Sequence, residues 1–357
     1  MKKNGKYIQN ELERIRDIGG KVYLDTGSYE LEKTVVMDTP SSKLEGAVWA
    51  YNLDPNGVFE TPFGTKLRIK GRDFPAISVG VDNVPAGAMV CDIGIQGDIK
   101  GMDTRALFDI NNPSHSAGLY FGSQRVDQGE FSKISCCGLA VAVCAADNAE
   151  LDACVFERIN MDGCCLGVYF APRASYYAHF RQCVIADTPS YGLFFDGTNS
   201  KIHNVDITDI HFVRNCGSNP LSGDDDAAVY LKSISNCIFR DNLVDFPGVF
   251  WYYPDEAKEN SERQIFKKQA IGLKVVGDKN RITGNTFMHS SREAMLIEGN
   301  GNILMNNISD GDVIINGEGN TVNGLCFTTA NAKLILKGTA AQTTLVLGVD
   351  ENRIVRE

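Results

Sequence analysis

The residues of this chain best suited to bond chemistry are carboxylates in two places: Asp196, which ends "GLFFD", and Asp224, Asp225 and Asp226 in "SGDDDAAVYLK". Cleaving or transferring a glycosidic bond needs two carboxyl groups. One is held protonated as general acid and the other is ionised as nucleophile or base. Crowded carboxylates split their pKa values, because like charges close together cannot all ionise. The triple Asp entering the coil above Asp196 is expected to supply such a pair, with Asp196, Asp225 and Asp226 as candidates. The same oxygens also suit a structural Ca²⁺ at Asp224–Asp226, or a solvated turn with no role. No other cofactor is expected. Elimination is a different chemistry, requiring a base and a cation that neutralises a uronate carboxylate. Lys232, Lys274, Arg181 and Arg214 are the candidate cations, with His179 and His211 nearby in sequence. A lone His is more often a packed or surface residue than a base.

These residues sit in a repeat. Pro172, Gly197, Ser233, Gly277, Gly299, Gly317 and Gly338 fall at intervals of 25, 36, 44, 22, 18 and 21 residues. Each follows a short apolar strand ("GVYFA", "GLFFD", "AVYLK", "GLKVV", "AMLIE", "DVIIN", "KLILK") and precedes another. Earlier copies are "GLYFG" and "VAVCA". A unit near 22 residues, built of strands and turns with little helical periodicity, predicts one coil stacked many times. The leucine-rich repeat has a similar period, but its Leu-and-Asn consensus is absent. The prediction is an all-β, single-stranded right-handed parallel β-helix of about ten coils. Cys154, Cys183, Asn242, Asn285 and Asn307 each precede an apolar pair and are read as one inward column, in which Asn bonds to Asn in the next coil.

Alternation within the strands assigns their faces. Val168, Phe170, Leu193, Phe195, Val229, Leu231, Leu273 and Val275 point inward. Tyr169, Phe194 and Tyr230 point outward as an aromatic stripe with a step of about 4.8 Å per coil, followed by Lys232 and Lys274. Flat rings suit the apolar faces of sugars; the alternative is that they pack against the insertions. Two coils swell, with insertions at 214–227 and 246–270, the second carrying Trp251. Both precede a strand of the same column and are expected to wall one side of a groove. The candidate substrate-binding residues are therefore Tyr169, Phe194, Tyr230, Lys232, Lys274, Arg181 and Trp251.

Ile8, Leu12 and Ile15 lie at helical spacing in "KYIQNELERIRDIG", which predicts a helix over residues 1–20 that caps the open end of the stack. Residues 21–350 form the β-helix and 351–357 a tail. A capping helix followed by "VYLDTGSYEL" resembles the entry of the pectin-lyase-like right-handed parallel β-helix superfamily. That superfamily includes polysaccharide lyases, glycoside hydrolases, inulin fructotransferases and phage tailspikes. The resemblance spans roughly residues 20–350, and its motifs imply architecture rather than chemistry. The inulin fructotransferases are similar in the opening phrase and in the terminal Gly-x-x-Asn coils. Their mid-helix Asp and Glu are not matched, since Arg181 and Leu193 stand near the expected places, and no catalytic residue carries over.

The chain has 357 residues, 43% of them hydrophobic, and a net charge of −10. An acidic chain with no Lys/Arg cluster is a poor partner for nucleic acid, and no apolar run is long enough to span a membrane. The 11 cysteines include the adjacent pairs in "SCCG" and "GCCL". Without paired CxxC spacing they read as buried free thiols in a reducing compartment, and the start has no signal-peptide pattern. The expected location is cytoplasmic, with a truncated secreted or phage protein as the alternative. Leu296, Ile314 and Ile335 form an outward aliphatic row that predicts a homo-oligomer, a trimer by preference, unless the tail covers it. The expected function is a carbohydrate-active enzyme, a glycoside hydrolase or transglycosylase using paired carboxylates. A polysaccharide lyase and a non-catalytic carbohydrate-binding or phage tail-fibre module are the alternatives.

Overall fold

A computed structural model of the chain describes residues 4–50, 64–98, 108–146, 148–216, 226–252 and 264–357. It is a right-handed parallel β-helix. Among the described residues, one strand per coil builds a front sheet of 12 strands, running from Val35–Met37 to Ile354–Arg356. A bent long sheet of 20 strands and a side sheet of four close the coil. The side sheet is Arg125–Asp127, Glu150–Asp152, Ala174–Tyr176 and Lys201–His203. Among the described residues the one antiparallel pair is a hairpin in the second insertion, Val249–Tyr252 with Gln264–Lys267.

The coil turns its corners with residues in the left-handed region. Lys133, Arg158, Gln182, Asp209 and Asp241 occupy equivalent positions on the bend of the long sheet, with φ between 51° and 55°. At the turn after the front strand, Gly277, Gly299 and Gly317 stack. A Cβ on Gly277 would lie 1.8 Å from the Ile234 carbonyl oxygen, and one on Gly299 2.1 Å from that of Gly277. Their φ values of 152°, 149° and 137° also exclude other residues. Close backbone approach between coils is thus the reason for the periodic Gly.

Inward residues make one continuous core. Val168, Phe170, Leu193, Phe195, Val229, Leu231, Leu273 and Val275 are all buried in it. Phe156 stacks on Phe180 at 4.4 Å and Phe170 on Phe195 at 4.5 Å. The amide ladder exists: Asn242 Nδ2 donates to Asn285 Oδ1 at 3.1 Å, and Asn285 Nδ2 to Asn307 Oδ1 at 2.9 Å. Its membership differs from the expectation in one place. Cys183 lies in the Asn242 column, through Ile210, but Cys154 belongs to a second column that runs through Ala178, Val205 and Cys237. That column continues as a second ladder, in which Asn280 Nδ2 donates to Asn302 Oδ1 at 3.1 Å and the Asn302 amide to Asn320 Oδ1 at 2.8 Å.

The helix Gly5–Arg14 is capped by Asn4, whose side chain accepts from the Tyr7 amide. Ile8, Leu12 and the following Ile15 are buried against the first coil. Gln9 Oε1 accepts the amide of Val36 at 2.9 Å, satisfying an edge donor of the front sheet. At the other end, residues 351–357 do more than trail. Ile354–Arg356 pairs with Leu334–Lys337 as the last front strand, so Val355 extends the aliphatic row instead of covering it.

Ten of the eleven cysteines are buried free thiols and Cys326 is exposed. Burial pushes the thiols of Cys154, Cys183 and Cys237 up to about 12.

Candidate functional site

The front sheet carries its outward residues in strict register. Tyr169 pairs with Phe194, Phe194 with Tyr230, Tyr230 with Lys274, Lys274 with Leu296, and so on to Val355. Outward here is not the same as exposed. Tyr169, Phe194 and Tyr230 are 6%, 1% and 3% exposed. They belong to a second apolar cluster that includes Phe108, Val141, Leu166, Tyr191 and Ile271. Phe194 lies 5.3 Å from Tyr230 and 5.2 Å from Tyr191, and Phe108 lies 5.0 Å from Tyr169. The rings of Phe194 and Tyr230 are therefore occupied by protein in this structure, and the open aromatic groove expected over this face is not formed.

Tyr169 is the member of the stripe that reaches an opening. It lines a cleft of about 400 Å³ together with Ile110, Pro113, Asn148, Arg173, Asp196, Asn199 and Ser200. The cleft lies at the corner where the front strand ends and the side sheet begins. Asp196 ends its strand with a side chain 17% exposed. It accepts the Thr198 amide at 2.9 Å and lies 3.9 Å from Lys232 Nζ, its neighbour in the next coil. Arg173 on the rim binds the carboxylate of Glu150, a residue of the side sheet.

Asp226 is at the wrong end of the sheet to pair with Asp196. It enters the strand that Lys232 ends, and Lys232 is the partner of Asp196. Six residues of extended chain at ~3.3 Å each put the two carboxylates about 20 Å apart, well beyond the roughly 5–10 Å of a glycosidase pair. The Asp226 carboxylate is bound by Lys268 at 2.5 Å. Asp224 and Asp225, and with them most of the candidate Ca²⁺ site, lie outside the described residues. Among the described residues no group of three His, Cys, Asp or Glu side chains could hold a metal ion.

The other candidates disperse. Lys274 is 8% exposed, with its ammonium 5.1 Å over the Tyr230 ring and 3.5 Å from Glu298. Arg181 is on the long sheet, paired with Glu157 at 2.9 Å. His179, 3.8 Å from Asp206, and His211 are on that sheet too. Residues 217–225 of the first insertion lie outside the described residues; the hairpin of the second is anchored at the corner that precedes the front strand. Asp187, 4% exposed, takes a bidentate pair from Arg214 at 2.7 and 2.8 Å and the Trp251 amide at 3.0 Å. The Arg214 guanidinium covers the Trp251 ring at 4.3 Å. Trp251 therefore docks the hairpin.

Sequence reasoning missed Asn148, Arg173, Asn199, Ser200 and Glu150. Their signal was positional, since each follows a front strand at the corner occupied by Asp196, but none repeats as a residue type.

The fold and this corner define a right-handed parallel β-helix with a polar cleft beside its front sheet. The chain is similar in structure to DFA-IIIase from Arthrobacter chlorophenolicus A6 in complex with GF2, with a TM-score of 0.72, 12% identity, and 100% of this chain and 94% of that one covered. The same protein in complex with DFA-III gives a TM-score of 0.67 at 11% identity, covering 99% and 92%. ORF18 of Geobacillus virus E2 gives 0.51 at 15% identity, covering 92% of this chain and 58% of that one. No family model and no curated protein matches the sequence.

Proposed function

We propose that this chain is a carbohydrate-active enzyme that binds an oligo- or polysaccharide in the Tyr169–Asp196 cleft and cleaves or transfers a glycosidic bond there. The observation that carries the reading is the cleft itself, where a carboxylate and a tyrosine ring meet among Asn, Ser and Arg side chains that can bond hydroxyls. Similarity over nearly full length to a protein solved with GF2 and with DFA-III supports the ligand class. Asp196 takes one carboxylate role. Glu150, two coils from Asp196 and outside the cleft, takes the role of holding the rim residue Arg173. A binding module is the competing reading, favoured by the fact that Asp196 is the one carboxylate among the described residues lining the cleft. The partly exposed row of Leu296, Ile335 and Val355 supports the further proposal of a homo-oligomer, a trimer by preference.

A degradation screen over fructans, other neutral glycans and uronic-acid polymers tests the function, comparing wild type with Asp196→Asn and Glu150→Gln. Cleavage lost in Asp196→Asn supports carboxylate catalysis in the cleft. Ultraviolet-absorbing products retained in both indicate elimination elsewhere. Saccharide binding without cleavage selects the binding module.

A further inference from the structure

Among the described residues most aromatic side chains are buried or half-buried, and those left in solvent are few. Two of them, Tyr176 and Tyr177, are adjacent, 37% and 56% exposed. Tyr176 ends a side-sheet strand three residues after the cleft residue Arg173. Its in-register neighbour in the next coil is His203, and the two rings lie 6.4 Å apart and 20° from parallel. In the two preceding coils the same outward column holds Asp152 and then Asp127. Both carboxylates are bound by Arg125, at 2.8 Å and 2.5 Å. The column thus presents two flat rings and two oriented carboxylates over three inter-strand steps, or about 14 Å.

Packing does not explain this arrangement. The inward residues beside it, Val126, Leu151, Ser175 and Ile202, are buried, while the rings face out. Tyr177 takes φ 57° at the corner, as Gln128, Ala153 and Asn204 do at the same position of the neighbouring coils. Next to it in the stack, Asn204 and Asn236 hold the position.

We propose that the Tyr176–His203 face is an outer saccharide platform, continuous with the Tyr169–Asp196 cleft, that binds sugar units of a chain too long for the cleft alone. The inference rests on the saccharide reading above and adds a substrate class: a chain of several units. Ring faces stack the apolar faces of sugars, and Asp127 and Asp152 accept from their hydroxyls. The repeat of the platform, one strand spacing, is close to the length of one sugar unit.

Calorimetric titration with size-graded fructo-oligosaccharides and cello-oligosaccharides, trisaccharide to octasaccharide, tests it. The comparison is between wild type, Tyr176→Ala with His203→Ala, and Asp196→Asn with Tyr169→Ala. The platform variant is expected to bind the long ligands about tenfold more weakly and the trisaccharide as wild type does. Tyr176→Phe, which keeps the ring, retains most of the affinity. Equal loss for long and short ligands, or no loss, overturns the platform. If the cleft variant binds as wild type while the platform variant does not, the cleft reading falls and the platform stands alone. Absence of binding by wild type across both series overturns both.

Discussion

Replacing Asn285 with Ala tests whether the amide ladders are the cement of the C-terminal coils. Asn285 is fully buried. Its Oδ1 accepts from the Asn242 amide at 3.0 Å and from Asn242 Nδ2 at 3.1 Å; its Nδ2 donates to the Phe239 carbonyl at 3.0 Å and to Asn307 Oδ1 at 2.9 Å. Alanine deletes all four bonds. Asn242 Nδ2 keeps Ile207, Asn307 Oδ1 keeps the Asn285 amide and the Phe239 C=O keeps its place in the strand ladder, so one group is left without a partner: the Asn242 N–H. A buried polar group without its partner costs about 1–3 kcal/mol, and that is the loss expected for the site. The assay is urea unfolding followed by circular dichroism, with hydrogen exchange of the Asn242 amide measured in parallel because a solenoid can open locally. Asn10→Ala on the exposed face of the capping helix is the control, expected within about 0.5 kcal/mol of wild type. A loss below about 1 kcal/mol with Asn242 exchange unchanged would refute the reasoning.

Three further perturbations follow. Arg214→Leu removes the bidentate partner of the buried Asp187 carboxylate and should cost about 3–5 kcal/mol, with a red shift of Trp251 emission as the hairpin detaches; unchanged emission counts against the docking role. The thiols of Cys154, Cys183 and Cys237 have folded values raised from 9.0 to about 12, so the stability linked to them is complete below pH 9 and lost as pH rises toward 12. Alanine at all three should flatten that alkaline slope in unfolding titrations, and native alkylation should label Cys326 alone. Gly277→Ala meets the Ile234 carbonyl and should cost about 2–4 kcal/mol, whereas Gly319→Ala, with open space around its Cβ, should cost about 1 kcal/mol by thermal melting.

Alternation with a period of two was enough to sort Val168 from Tyr169 and Leu231 from Tyr230, because a one-residue error would turn every side chain over. It could not say what lies on the outer face. Phe194 is covered by Tyr191, three residues before it, by Tyr230 in the next coil and by the cluster that includes Phe108, and the alternation of the strand announces none of this cover. The register of turns also located the coils correctly while hiding where along a coil each residue stands. Asp196 leaves its strand and Asp226 enters the next one, so neighbours in the list of coils are a strand length apart in space. The second ladder was written openly as Gly-x-x-Asn in three coils; Cys154 was drawn into the first because Cys recurs before an apolar pair in both columns. At the cleft, Asn148, Asn199 and Ser200 are single occurrences, invisible to a search for repetition.

The unequal coils have a consequence for assembly of the chain. The ladders of Asn280, Asn302 and Asn320 and of Asn242, Asn285 and Asn307 would accept one another's neighbours almost equally well, so a stack of identical coils could close one storey out of step at little cost. Steps of 36 and 44 residues beside steps of 22, 18 and 21 break that symmetry. A coil docked one level away would carry its insertion to a corner with no Asp187 and Arg214 to receive Trp251. The docked hairpin of the second insertion is therefore a notch on a key, favouring one alignment of an otherwise repetitive shaft, whatever chemistry the cleft performs.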